Sequence, residues 1–201
     1  MPPRSDVSEE RKDQIIQAAT NVFTRLGFHD ARMDDIVEEI GLSKGALYWY
    51  FKSKEDLIIA ILDRMFGVEF QRMESLCSED LPARQCLANF LDIFIADLHK
   101  MQRVTPIIYE FYALAFRNQT VRTVMQRYLR TFVTIIEPII QRGIDRREFR
   151  PGDARQAALA VGAQIEGTLL LWAYDPETVR IDDQLLVGAE MLFRSLDATE
   201  S

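Results

Sequence analysis

The chain has 201 residues, 48% of them hydrophobic and 27% charged, which suits one compact domain, or a small domain joined to a larger one, rather than a disordered chain. A formal net charge of −7 argues against a generic nucleic-acid coat but leaves room for a local basic patch. The polar start "MPPRSDVSEERKD" lacks the apolar core of a secretion signal, no uninterrupted apolar run reaches the ~18 residues of a membrane span, and two cysteines are too few for a secreted disulfide framework, so a cytoplasmic address with no membrane partner is expected.

Helical periodicity dominates from the first third onward. Ile15, Ala19, Val22, Phe23 and Leu26 line one face of a first helix, which Gly27 can end. Met33, Ile36, Val37 and Ile40 mark a short second helix closed by Gly41. Ser43 is suited to N-cap a third, running to about Phe51. Ser53 followed by Asp56 resembles a capping box with the shorter acid, opening a helix that carries Leu57, Ile58, Ile61, Leu62, Met65 and Phe66. After Pro82 comes a stripe of Leu87, Phe90, Leu91, Phe94, Ile95 and Leu98. "PIIYEFYALAF", from Pro106, is apolar on nearly every side, as a buried helix would be. A long helix follows through Val121, Met125, Tyr128, Phe132, Ile136 and Ile139, with a kink expected at Pro138. "RREFRPGD" is a connection to two last helices, Ala154–Tyr174 and Asp183–Leu196. The fold class is all-α.

One stretch stands apart from this acidic background. Between Ile40 and Lys54 there is no carboxylate, while Lys44, Lys52 and Lys54 are present and Tyr48, Trp49, Tyr50 and Phe51 are consecutive. At ~100° per residue these aromatics cannot all point inward. Leu47, Tyr50 and Phe51 share one side and can pack on the first two helices, Lys44 and Tyr48 share the opposite side, and Trp49 lies between. Amines, a phenol and an indole without a neighbouring acid suit a DNA major groove, where lysines neutralise phosphates and an aromatic ring can meet a thymine methyl. The backbone N–H groups after Ser43 and Ser53 offer two further phosphate sites. The competing reading is a patch that packs against another protein, with ordinary solubilising lysines.

The segment "DDIVEEIGLSKGALYWYFKSKEDLIIAIL", Asp34 to Leu62, resembles the DNA-binding segment of the tetracycline-repressor-like (TetR) family of bacterial regulators. The shared pattern is a short helix, Gly-hydrophobic-Ser/Thr, a Lys-Gly-x-Leu-Tyr-x-Tyr/His-Phe helix and a lysine opening the next helix. The resemblance spans about Arg11 to Leu62. It implies an N-terminal helix-turn-helix domain over residues 1–56 and a larger helical domain over 57–201 for effector binding and dimerisation. It also places Lys44, Tyr48, Trp49 and Tyr50 at positions that commonly face DNA, and Lys54 at one that commonly meets a phosphate. Gly45 would permit close backbone approach, and Ser43 and Lys52 complete the surface. Arg32 departs from the family, which usually has Ser or Thr capping the second helix. That cap is expected to be weakened, with Arg32 reaching a phosphate or staying solvated.

The same resemblance implies an effector chamber and a homodimer built through the last two helices, in a repressor that binds a pseudo-palindromic operator. Phe90, Phe94, Tyr109, Tyr112, Tyr128, Phe132 and Trp172 would wall a pocket for a small apolar or aromatic molecule, with Gln164 and Thr168 as polar handles. Each of these aromatics could equally be core. Glu110, the one charge in its helix, would favour a cationic ligand if buried or mark the solvent side if not. His29 and His99 do not cluster with Cys or Asp at metal spacing, and no cofactor or metal is expected. Cys77 and Cys86 flank the Pro82 loop; the ordinary reading is an inert pair of thiols, the rarer one a redox switch. No nucleophile–base pair or phosphate loop supports an enzyme. A helical interaction module, or an activator of the same fold, are the remaining alternatives.

Overall fold

The computed structural model describes residues 4–78, 80–101 and 105–197. Among these the chain is all-α, with nine helices: α1 (Arg4–Leu26), α2 (Met33–Ile40), α3 (Lys44–Tyr50), α4 (Lys54–Leu76), α5 (Ala83–Met101), α6 (Thr105–Ala115), α7 (Gln119–Asp145), α8 (Ala154–Tyr174) and α9 (Ile181–Leu196). The termini follow local chemistry. Gly27 and Gly41 sit at φ 76° and 69°, the left-handed conformation that ends α1 and α2 without a Cβ clash. Ser43 Oγ accepts from Ala46 N–H at 3.2 Å, so α3 has its expected cap. Ser53 Oγ accepts from Asp56 N–H at 3.1 Å, and the Asp56 carboxylate accepts from Lys52 N–H at 2.9 Å, one residue earlier than in an ordinary capping box. α7 continues through Pro138, and α9 begins at Ile181 rather than Asp183.

The contacts group the chain into two units, 1–67 with 102–126, and 68–101 with 127–201. This differs from the boundary expected at residue 56. The sequence around Pro106 gave no sign that α6 would group with the first helices.

In the first unit, Ile15, Ala19, Val22 and Phe23 of α1 meet Ile36 of α2, Leu47 of α3 and Leu57, Ile58 and Leu62 of α4 in a buried core. Burying each of these side chains larger than alanine contributes roughly 1.5–3 kcal/mol, enough to hold short helices that would not persist alone. Phe28, in the α1–α2 loop, joins this core to α6, its ring lying edge-on to Phe23 at 5.4 Å and Phe111 at 6.0 Å. α6 is not buried on every side, as its apolar sequence had suggested. Ile107 and Phe111 are buried, whereas Glu110 and Ala113 are exposed.

In the second unit, Leu87, Phe90 and Leu91 of α5, Ile136 and Ile140 of α7, Ala158 and Ile165 of α8 and Leu185 of α9 form one cluster. α7 ends in a tight turn with Arg147 at φ 61°, and the Phe149 ring then seats against Gly143, where a Cβ would collide with it. Arg84 clamps α5 to the end of α9, meeting Asp197 at 2.8 Å and Glu190 at 3.0 Å. α8 and α9 approach closely at Gly188, whose missing side chain leaves space for Gln164.

One finding here departs from expectation. Cys77 and Cys86 are joined in a disulfide rather than left as two inert thiols, because the loop between α4 and α5 brings their Cα atoms to 5.1 Å. α8 is also long and apolar enough, by length and composition, to cross a membrane, although its sequence is interrupted by polar residues. Leu171 and Tyr174 at its end, and Leu186, Val187 and Met191 on α9, are exposed.

Candidate nucleic-acid interface

The surface of α3 carries the predicted residues largely where periodicity put them. Leu47 and Phe51 are buried and anchor the helix, while Lys44, Gly45 and Trp49 are exposed and Tyr48 and Tyr50 half-buried. Trp49 is 68% exposed, and its ring meets the Tyr50 ring edge-on at 4.5 Å. Tyr50 therefore supports the indole from the core side, which accounts for its mixed inward and outward character. Around Gly45 a Cβ would meet nothing within 4 Å, so the backbone there is open to an approaching partner. Lys52 folds back and donates to the Tyr48 carbonyl at the end of α3.

The surface is not free of acid, although the sequence from Ile40 to Lys54 is. Asp34, from the first turn of α2, pairs with Lys44 at 2.7 Å. That hydrogen bond, with the charge attraction behind it, raises the Lys44 ammonium above its ordinary pKa of 10.5. Lys44 and Asp34 are both well exposed, and a pair of this kind is weak and screened by salt. A phosphate can replace Asp34 as the partner of Lys44. A window read only along the chain missed Asp34, because α2 delivers it across the turn. The spacing of a helix-turn-helix was the one signal that could have indicated it.

At Arg32 the side chain is solvated and the cap is supplied by a neighbour. The Arg32 side chain caps nothing, but Asp35 Oδ2 accepts from Arg32 N–H at 2.7 Å and so serves the start of α2. With Asp34 and Asp35 in the first turn facing the helix dipole, the missing Ser or Thr is compensated. The Arg32 guanidinium is exposed. His29, Asp30, Arg32, Asp34, Lys44, Tyr48 and Lys54 border an open groove of about 430 Å³ beside α3.

The Lys54 side chain is engaged within the protein. Its ammonium donates to the carbonyls of Phe28 at 2.7 Å, His29 at 3.1 Å and Ala31 at 2.7 Å, and lies 4.6 Å from the centre of the Phe28 ring. All three ammonium donors are directed at the α1–α2 loop. Glu110 holds the same loop from α6, its Oε2 accepting from Phe28 N–H at 2.7 Å. Glu110 is thus on the exposed side of its helix, with a structural partner in place of a cationic ligand.

The predicted effector residues divide between the two units. Tyr109, Glu110 and Tyr112 belong to the first, with the two tyrosine rings edge-on at 5.9 Å. Phe90, Phe94, Tyr128, Phe132, Gln164, Thr168 and Trp172 belong to the second. There Phe90 lies 5.8 Å from Phe94 and 6.4 Å from Phe132, and Trp172 packs on the same cluster. Phe132 rests over Gly162, which gives it room. Gln164 Nε2 donates to Thr168 Oγ1 within α8 at 3.2 Å and to the Gln184 carbonyl at 3.4 Å, so Gln164 serves the α8–α9 contact. A cleft of about 30 Å³ touches Phe90 and Gln164, space for roughly one water molecule.

Similarity to known proteins agrees with this geometry. Residues 15–61 match the family described as bacterial regulatory proteins, tetR family, and residues 83–197 match the BetI-type transcriptional repressor C-terminal family. The uncharacterized regulator YfiR of Bacillus subtilis is 30% identical over 150 residues, covering 72% of this chain and 73% of its own. The fatty acid metabolism regulator protein of the same organism is 28% identical over 168 residues, covering 82% and 84%. The solved structure of FadR from Bacillus subtilis in complex with stearoyl-CoA has a TM-score of 0.80 and 25% identity, covering 92% of this chain and 99% of that one. A helix-turn-helix head of matching sequence, carried on a matching helical body, means that the chain belongs to the TetR family of bacterial DNA-binding transcriptional regulators.

Proposed function

We propose that the protein acts in the cytoplasm as a homodimeric repressor that places two copies of α3 in successive major grooves of a pseudo-palindromic operator. The observation that carries this reading is Trp49, 68% exposed on a seven-residue helix beside Lys44 and Tyr48. A large aromatic held outward by a buried Leu47 and Phe51, touching the edge of Tyr50, leaves most of its surface in water in the isolated chain, whereas against base edges it buries its face. Residues up to 56 would carry DNA reading. Lys44, Tyr48, Trp49 and Tyr50 face the groove, while Arg32, Lys52 and the backbone at Ser43 and Gly45 approach phosphates. Lys54 acts as the brace of the loop that supports them.

Pairing is assigned to α8 and α9, because Leu171, Leu186, Val187 and Met191 leave an apolar face on those two helices. A two-fold dimer puts the recognition helices about 34–36 Å apart, one turn of DNA. The effector is assigned to the second unit, among the rings of Phe90, Phe94, Tyr128, Phe132 and Trp172, and is expected to be apolar. The stearoyl-CoA bound by FadR, with its long acyl chain, is a precedent of that character. Release requires the effector to bind the off-DNA arrangement more tightly, since equal affinity for both states shifts nothing.

The test is fluorescence anisotropy of the full chain with DNA from upstream of its own gene, over a series of salt concentrations. If each subunit neutralises about three phosphates, the log–log salt slope of the dimer is roughly −5. Lys44→Ala/Tyr48→Ala abolishes the steep component. Equal, shallow binding by wild type and double variant, on genome-selected fragments as well, removes DNA as the partner of α3.

A further inference from the structure

One group of side chains in the second unit has no part in DNA reading. Cys77 follows the last residue of α4, Cys86 lies in the first turns of α5, and the two sulfurs are joined. Arg142 of α7 directs Nη2 at both, 3.0 Å from Cys77 Sγ and 3.1 Å from Cys86 Sγ. Its Nε is buried and has no acceptor among the described residues.

This is a poor environment for a bridge whose only role is to hold the fold. A disulfide sulfur is neutral and a weak acceptor, so a guanidinium with an orphaned N–H beside two such sulfurs is under-satisfied. A thiolate in the same place would accept a charge-assisted hydrogen bond from Arg142 and would match its charge. The geometry closes the oxidised form, while the electrostatics favour the reduced, ionised one. The two cysteines also differ in access. Cys86 is 2% exposed, whereas Cys77 is partly exposed and next to exposed Ser78.

We propose that Cys77, Cys86 and Arg142 form a thiol–disulfide site that reacts reversibly with hydroperoxides, with Arg142 holding Cys77 as the attacking thiolate. The Cys77 thiolate attacks the terminal peroxide oxygen and the O–O bond breaks. For hydrogen peroxide, the departing hydroxide takes a proton and leaves as water, with Cys77 left as sulfenic acid. The Cys86 thiol then attacks that sulfur, forming the S–S bond and releasing a second water. The two sulfurs together lose two electrons, and the peroxide gains them. A dithiol reductant returns the pair by thiol–disulfide exchange. Oxidation thus ties the C-terminal end of α4, the helix that begins at Lys54, to the first turns of α5.

The experiment uses the full chain, reduced, desalted and exposed to hydrogen peroxide, with remaining thiols trapped by alkylation and weighed by mass spectrometry. Wild type is expected to lose two hydrogens and form the intramolecular Cys77–Cys86 bond. Cys86→Ser is expected to accumulate a dimedone-reactive sulfenic acid at Cys77. Arg142→Gln slows oxidation at pH 7 by about tenfold, the effect of one pKa unit on thiolate fraction, and Arg142→Lys restores most of the rate. Where Arg142→Gln does not fold, the wild-type alkylation rate against pH serves instead, with an inflection expected below the free-thiol value of about 8.5. Equal rates in wild type and a folded Arg142→Gln, or a wild-type inflection at or above that value, overturn the proposal. So does a bridge that resists a dithiol reductant in the native protein, which would make it purely structural.

Discussion

Replacing Lys54 by methionine keeps the aliphatic stem and removes the ammonium that donates to Phe28, His29 and Ala31. Where water is excluded, a hydrogen bond involving a charged group contributes roughly 1.5–3 kcal/mol. The bond to His29 is exposed and water replaces it, whereas those to Phe28 and Ala31 are part-buried. Discounting these two to about 1 kcal/mol each for partial hydration, and adding about 0.5 kcal/mol for the contact with the Phe28 ring, Lys54→Met destabilises by about 2–3 kcal/mol. For a chain of this size the melting temperature falls by about 5–10 °C. Urea unfolding followed by circular dichroism measures the loss, and DNA titration of the same protein measures the salt slope. If the variant is as stable as wild type while its slope falls by roughly one per subunit, Lys54 is a phosphate ligand and the brace reading is refuted.

Three further perturbations test other parts of the structure. Gly45→Ala meets no atom within 4 Å and removes a helix-unfavourable glycine, so it stabilises the fold by up to about 1 kcal/mol, yet lowers operator affinity if the DNA backbone approaches there. Unchanged affinity in the anisotropy titration excludes that approach. Gly188→Ala forces the Gln164 amide aside, a cost that offsets the gain of about 1 kcal/mol from removing a helix glycine, and Gln164→Ala in the same chain uncovers that gain; a thermal-melt double-mutant cycle with no coupling contradicts the packing. Thr178 hydrogen-bonds the Asp175 carboxylate in the α8–α9 connection and lowers its pKa below the ordinary 3.8. Because the folded value is the lower one, the stabilisation is present above 3.8 and disappears as pH falls through the folded value. The stability gap between wild type and Asp175→Asn, followed by urea unfolding against pH, is therefore expected to close in acid and not at neutral pH.

The helices, their caps and the outward face of α3 were legible along the chain because they depend on residues within about four positions of one another. Ser43 reaches only Ala46, Gly41 needs only its own φ, and Leu47 with Phe51 sets which side of α3 is buried. The tertiary structure decided the partners of the charges. Asp34 reaches Lys44 across a turn, Lys54 reaches back 26 residues to the Phe28 carbonyl, and Glu110 meets Phe28 N–H across 82. Helical periodicity says which side of a helix is polar but not which neighbour faces it. For that reason the bonds of Lys54 to the α1–α2 loop, and of Gln164 to Thr168 and the Gln184 carbonyl, were not legible along the chain. Two cysteines in a list carry no distance, and only the turn between α4 and α5, with Arg142 arriving from α7, made them a site. Local sequence determined the elements and the outward side of α3, because those depend on short-range backbone geometry. The assignment of each charge and sulfur waited on packing, because it depends on distances that the chain sets only when folded.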